Sequence, residues 1–586
     1  MLIGSAQYYE DYIGAGHSEG ITVTSSSEHQ FFGWEEIASG SSTIDGSGMD
    51  DRFTETARFL EQATLGVDED IIAEVAMMDF GDWIDAQRDI PTESIRELMI
   101  DIIYEAIDIY VANGGNAEDY FAPGYWHFNY AWWQKNMTNE DLLRQRVTYA
   151  LSQILVISAR GNLEEHVGGM AHYYDALQEH AFGNYRDLLQ KVTLHPAMGI
   201  YLTHFNNPKT IEDLNIRPDE NYAREIMQLF SIGLYELNMD GSLVMDGGEP
   251  VPTYGIPEIK EFAKVFTGLG AGGVTDNPFE DEPYFGISRY VTDFTVPMAM
   301  YEEWHEPGVK NLLYGESTTP GNSGMEDIEE AIDNIFNHPN VPPFIARRLI
   351  QHLVKSNPSP GYIERIAQVF ADNGEGVRGD LFATVKAILL DEEARTCEWL
   401  TDPEHGKLRE PMLRYSSFAR MIDKFADEGR FWNTGYDFQA ATDQAPLGAY
   451  SVFNFFLPDF QPSGPLGEAD LYGPEYQIHN SRTSLDFINQ ALLWTNYWSL
   501  FYSWEEIDPT FIILGELSEK ARDADVLIDY LDKCYVRGQM SEELRANLRT
   551  TINGMTGINT GPNFLEYRAR TALYLTLISP DYSVLR

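Results

Sequence analysis

The sequence predicts a mainly α protein, a large multi-helix domain with long irregular loops and a minor β excursion. Three observations carry that class. Apolar residues recur at helical spacing over most of the chain. Capping residues and Gly or Pro stand where those stripes begin and end. Period-two alternation is rare, which leaves little room for a sheet.

Residues 1–52 are rich in Gly, Ser and acids and read as a flexible tail, with one aromatic piece at Phe31-Phe32-Gly33-Trp34. The main helical domain is expected over 53–395. Phe59, Leu60 and Ala63 give its first stripe, and Ile71, Val75, Met78 and Trp83 a second. Residues 95–111 keep a 3.6 period. The block Tyr125-Trp126-His127-Phe128-Asn129-Tyr130-Ala131-Trp132-Trp133 has the aromatic density of a core or pocket wall. A helix over 140–158 buries Leu143, Val147, Ala150, Leu151 and Ile154, with Arg146 on that stripe and Arg144 beside it. Further helices fit 170–182, closed by Gly183-Asn184, and 185–194, stopped before Pro196.

The stretch Asp219-Glu220-Asn221-Tyr222-Ala223-Arg224-Glu225-Ile226-Met227-Gln228-Leu229-Phe230 reads as a short helix with clear ends. Asp219 suits its first turn and Gly233 the residue past its last. Tyr222, Ile226, Leu229 and Phe230 form a buried stripe, and Glu225 falls inside it. A carboxylate there is costly unless paired or protonated. From 238 to 293 the chain turns irregular around a helix at 258–266, and a β-rich excursion is expected near 285–296. Helices resume at 327–336, 343–355, 361–372 and 380–390. Residues 396–480 form a Pro- and Gly-rich segment expected to pack on the core, and 481–586 a final helical part.

Composition bounds the function. The net charge is −52, from 92 acids against 40 bases. That argues against nucleic acid or an anionic membrane as partner, since both need a basic face. Cys397 and Cys534 are the two cysteines, too few for a disulfide framework or a zinc cluster. No apolar run reaches the roughly 18 residues of a membrane span. No signal peptide is visible in residues 1–20.

Several short motifs stand one after another along the chain. They are Ala57-Arg58-Phe59-Leu60-Glu61-Gln62-Ala63-Thr64, Leu143-Arg144-Gln145-Arg146-Val147, Glu179-His180-Ala181-Phe182-Gly183-Asn184-Tyr185, Leu194-His195-Pro196-Ala197-Met198 and Glu220-Asn221-Tyr222-Ala223-Arg224-Glu225. Arg347-Arg348-Leu349-Ile350, Ser356-Asn357-Pro358, Arg409-Glu410-Pro411 and Ser451-Val452-Phe453-Asn454-Phe455-Phe456 follow. In these the chain resembles the bacterial DUF1800 family over roughly residues 53–580. The resemblance implies a helical protein that is usually exported and of unassigned activity. It often sits beside a secreted sulfatase-like family. The acidic insert near 270–300 is longer than the family pattern.

Two functional classes follow. One is a secreted or cell-surface protein in extracellular polymer binding or assembly, with a glycan or a secreted protein as partner. The other is a lyase or hydrolase on an acidic polysaccharide. Its candidate catalytic residues are Glu225, Arg146, His180, His195 and Tyr222, with Arg144, His127, Arg224 and Tyr173 binding substrate. In that chemistry Arg neutralises a carboxylate while His or Tyr moves a proton. Glu225 is expected to pair with Arg146 or Arg144. His172, Asp175 and Glu179, at i, i+3 and i+7, offer a weak metal-binding face. The acidic loops 240–249 and 276–282 have the composition of calcium loops without EF-hand spacing. No Gly-x-Ser-x-Gly elbow is present. Gly268-Leu269-Gly270-Ala271-Gly272-Gly273 lacks the Lys-Ser/Thr of a phosphate loop.

Overall fold

A computed structural model describes residues 52–586, apart from 121–122, 276–281, 397–401, 403, 404, 433, 436, 437 and 497–509. The tail expected over 1–52, save Arg52, and Cys397 lie outside the described residues, as does most of the 276–282 loop. Cys534 is buried.

The protein is mainly α. Helices account for 56% of it, against the roughly one third usual in globular proteins. The described strands are two-residue antiparallel pairs. The stripes read from sequence become helices Arg52–Ala63, Ile95–Ala112, Leu142–Ile154, Val167–His180 and Tyr185–Thr193. The 71–83 stripe is two helices, Glu69–Ala76 and Phe80–Asp89, because Asp79 accepts the Gly81 amide and starts a new one. The aromatic block is itself a helix, Tyr125–Thr138. The β excursion is displaced outward. Leu269–Gly270 pairs with Ala299–Met300, while residues 289–291 form a 3-10 turn.

Buried apolar residues form a contiguous cluster running from Phe53 to Tyr582. Its ends meet through a buried ionic knot. Arg409 pairs with Glu61 on the first helix and donates to the Tyr582 carbonyl, and Arg537 approaches Glu61 at 3.8 Å. Beside it Lys407–Leu408 pairs with Val584–Leu585. A smaller apolar cluster, Val156, Ala449, Phe455, Phe456 and Ile478, joins the Pro-rich segment to the helical domain. Among the described residues, no helix is long and apolar enough to cross a membrane.

Candidate functional site

The helix Val341–Leu353 starts with Pro342 and Pro343 in its first turn, where a missing N–H costs nothing. Asn340, just before it, donates to the carbonyls of Ile232 and Tyr235 and accepts from the Leu237 amide. That fixes the chain leaving helix Asn221–Gln228 against this one. Gly233, at φ +73°, closes the turn with its amide on the Met227 carbonyl. Along Val341–Leu353, Phe344, Arg347, Arg348, Gln351 and His352 fall at i, i+3, i+4, i+7 and i+8, one face of the helix. All five line a cleft of about 290 Å³. Its other walls are Gln228 to Leu243, the loop 452–459, Gln153 with Ile154, and Pro474 with Glu475.

Two arginines meet in this cleft without a counter-charge in contact. Among the described residues, neither Arg347 nor Arg348 forms an ion pair. The Arg347 Nε is buried without a partner, and its guanidinium lies 5.1 Å from the Tyr472 ring. Arg348 donates to the Gln351 side-chain oxygen at 3.4 Å and sits over Phe344. Burial, and then the like charge of Arg347, press the Arg348 pKa down to about 9, against the weaker pull of Asp459. His352 is held well below the usual imidazole range by burial and by the charges of Lys407, Arg146 and Arg348, so it is neutral at pH 7.

The layer beneath is organised around these groups. Arg146 and Lys407 both donate to the His352 carbonyl, at 2.5 and 2.9 Å, and Lys407 also to that of Gln351. Two cations thus sit on the carbonyl end of the helix, where its dipole favours them. Lys407 pairs with Glu475 at 3.0 Å. Burial raises the Glu475 pKa, and its Oε2 has no partner. Gln153 donates to both Glu410 oxygens at 3.1 Å and accepts from Asn454 at 2.9 Å. Asn454 takes φ +65°, a left-handed conformation that Asn adopts more readily than most residues. These contacts hold the 452–459 wall to the helical domain.

The residues singled out from sequence are spread over several neighbourhoods. The expected Glu225–Arg146 pair is not formed. Arg146 is committed to the helix end, with Glu410 as its strongest opposite charge, and Arg144 donates to the Gln178 and Arg88 carbonyls. Glu225 is buried and its Oε2 has no partner. Burial raises its pKa, with Arg224 opposing; burial, and after it the Glu225 charge, also raises Tyr201 and Tyr254. It lies one turn before the cleft residues Gln228 and Leu229. Arg224 pairs with Glu220 at 3.4 Å.

His195, His172 and Tyr173 do come together. His195 Nδ1 accepts the Ala197 amide, so its Nε2 carries the proton and donates to His172 Nδ1 at 2.9 Å. Burial lowers both pKa values. The Tyr173 ring packs edge-on to His195, and its hydroxyl donates to the Leu155 carbonyl. Tyr222 bonds Thr193 and stacks on His204. His180 Nδ1 is bound to the Ala176 carbonyl at the end of its helix. His127 accepts the Gly124 amide and starts the aromatic helix; burial lowers it to about 4.

The metal-binding face is dispersed. His172 turns to His195 and Glu179 to Lys191, while Asp175 accepts from Ser94 and the amides of Ile95 and Arg96. Among the described residues no group of three His, Cys, Asp or Glu could hold a metal. In the 240–249 loop, Asp240 is engaged by Ser242.

Arg347, Arg348 and Asn454 stood in the sequence as motif residues without a role. Gln153, Gln351, His352 and Glu475 were missed. The signal available was the face repeated along 344–352, a line of polar groups at buried spacing.

Fold and cleft together define a helical protein with a cleft that Arg347 and Arg348 line. The family model described as a protein of unknown function, DUF1800, matches residues 58–584, and the chain belongs to that family. No curated protein and no solved structure matches the chain.

Proposed function

We propose that the protein is an acid-recognising binding module that works outside the cytoplasm in extracellular polymer binding or assembly. The cleft at Arg347 and Arg348 would take a carboxylate of the polymer. The observation that carries this reading is the arginine pair itself. In a chain with more than twice as many acids as bases, these two cations line one cleft, and although Asp459 and Glu475 share its lining, among the described residues no carboxylate reaches either within ion-pair distance. Keeping two like charges together in a partly desolvated cleft costs free energy that a bound anion returns. Arg presents a planar fork that fits a carboxylate in a bidentate manner. Neutral His352 adds a hydrogen-bonding group without a charge of its own.

The export part of the proposal rests on the family resemblance. For the binding part, the purified chain is screened by thermal melt against carboxylates of differing bodies, their neutral counterparts and inorganic phosphate. A ligand at 100 times its Kd adds about 2.7 kcal/mol. The reading expects a shift with at least one carboxylate that disappears in Arg347→Gln/Arg348→Gln. A shift that survives in that variant removes the cleft from the account.

An elimination or hydrolysis reaction on an acidic polysaccharide is the second reading. Glu225, a buried carboxyl with a raised pKa beside two tyrosines, favours it. The arginine pair would neutralise the substrate acid there as well. Release of product from an acidic oligosaccharide, abolished in Glu225→Gln, is its test.

A further inference from the structure

The walls of the cleft carry information that the arginines do not. Leu234, Tyr235 and Leu243 stand on one lip, and Phe453 and Leu457 on the other. They are 48, 44, 43, 44 and 36% exposed. Buried Phe344, Ile232 and Phe456 continue the apolar surface beside Arg347 and Arg348. Single exposed apolar residues are ordinary, but a group of five around one mouth, on so acidic a chain, marks a surface that something covers.

Both lips are held in place. Asn340 anchors the first through the 232–237 backbone. The Asn454–Gln153 bond, with the Leu457 amide on the Gln477 side chain, anchors the second. Between the lips a bare sugar acid would set hydroxyls against Leu234, Leu243, Phe453 and Leu457, while the amide groups of Gln153, Gln351 and Asn454 in the same lining already donate within the protein; hydroxyls left unpaired there are costly.

We infer that the cleft recognises a carboxylate carried on an apolar body, the acid end of an alkyl chain, with the acid on Arg347 and Arg348 and the chain between the two lips. This rests on the acid-recognising reading and narrows its ligand class. Charge complementarity places the acid end on Arg347 and Arg348, since Glu475 in the same lining is paired with Lys407 and Asp459 forms no ion pair with either arginine, and the cleft volume suits a small group.

The test uses the full chain and a series of butanoate, hexanoate and octanoate, with octanol and glucuronate as controls, read by calorimetric titration. Each added methylene that enters the cleft should tighten binding about fourfold. Octanol and glucuronate should bind at least about tenfold more weakly than octanoate. Leu243→Ser and Phe453→Ser, at exposed positions, should flatten the chain-length series without lowering the melting temperature. Arg347→Gln/Arg348→Gln should weaken all three acids alike. If glucuronate binds as tightly as octanoate, the apolar assignment falls and acid recognition stands. If no carboxylate binds, both fall. If octanol matches octanoate, the cleft is apolar-specific and the role of the arginines is refuted.

Discussion

Glu61 to Gln is the substitution that most directly probes how the chain closes on itself. Glu61 is 13% exposed, while Arg409 and Arg537 are each 1% exposed. The carboxylate contacts Arg409, lies 3.8 Å from Arg537 and accepts from Ser417 at 2.7 Å. The amide would remove the counter-charge from two buried guanidinium groups in one step, leaving them carbonyl acceptors such as Tyr582 and Tyr535. Removing one partner of a buried pair costs about 3–5 kcal/mol, because the remaining charge stays desolvated. That is a fifth or more of the stability of a typical domain, roughly 5–15 kcal/mol. Although burial pushes the Glu61 pKa up, the two arginines outweigh it and the pKa is lowered. The stabilisation is therefore present above the ordinary carboxylate pKa, about 4.3, and is lost as pH falls through the lower folded value. Urea unfolding of wild type and Glu61→Gln at pH 7 should differ by about 3–5 kcal/mol, with the gap closing in acid. A difference below about 1 kcal/mol at pH 7 would mean that the arginines find other partners, and the reasoning fails.

Glu225→Gln should act in the opposite direction. The raised pKa means that folding favours the protonated acid, so its contribution is present at low pH and lost as pH rises through the folded value. The variant should gain about 1–2 kcal/mol at pH 8 and little at pH 4, read by denaturant unfolding; a loss at pH 8 would show that the charge has a partner. Asp175→Ala should cost about 1–2 kcal/mol, because the carboxylate satisfies the first amides of helix Ile95–Ala112, and Asp175→Asn should recover part of it. Hydrogen exchange at Ile95 and Arg96 reads that loss, and unchanged protection would contradict it. His195→Asn keeps a cap for the Ala197 amide while losing the bond to His172 and the Tyr173 ring contact, both of which His195→Ala loses too, so it should cost less than His195→Ala by about 1 kcal/mol; equal melting temperatures for the two variants would contradict this.

Helices with strong apolar stripes and defined ends were legible in the sequence. Gly233 was readable because a turn at φ +73° needs a residue without a Cβ. The aromatic block was readable as core, yet its helix was not, since residues apolar on every side carry no period. Glu225 stood out as a carboxylate on a buried stripe and is indeed buried with an orphan oxygen. What failed was the inference that a buried Glu and a buried Arg seek each other. Arg146 instead binds the carbonyl end of a helix about 200 residues away in sequence. The cleft escaped for the same reason. Its pieces come from 153–154, 228–243, 344–352, 452–459 and 474–475, and local periodicity says nothing about which distant segments meet.

Calorimetric titration of octanoate, hexanoate and glucuronate into wild type and into Arg347→Gln/Arg348→Gln, side by side, tests acid recognition most directly. The account predicts that at least one carboxylate binds the wild type, and that the double substitution weakens it at least tenfold, or about 1.4 kcal/mol. Equal affinities for the two proteins, or no binding to either, would contradict it.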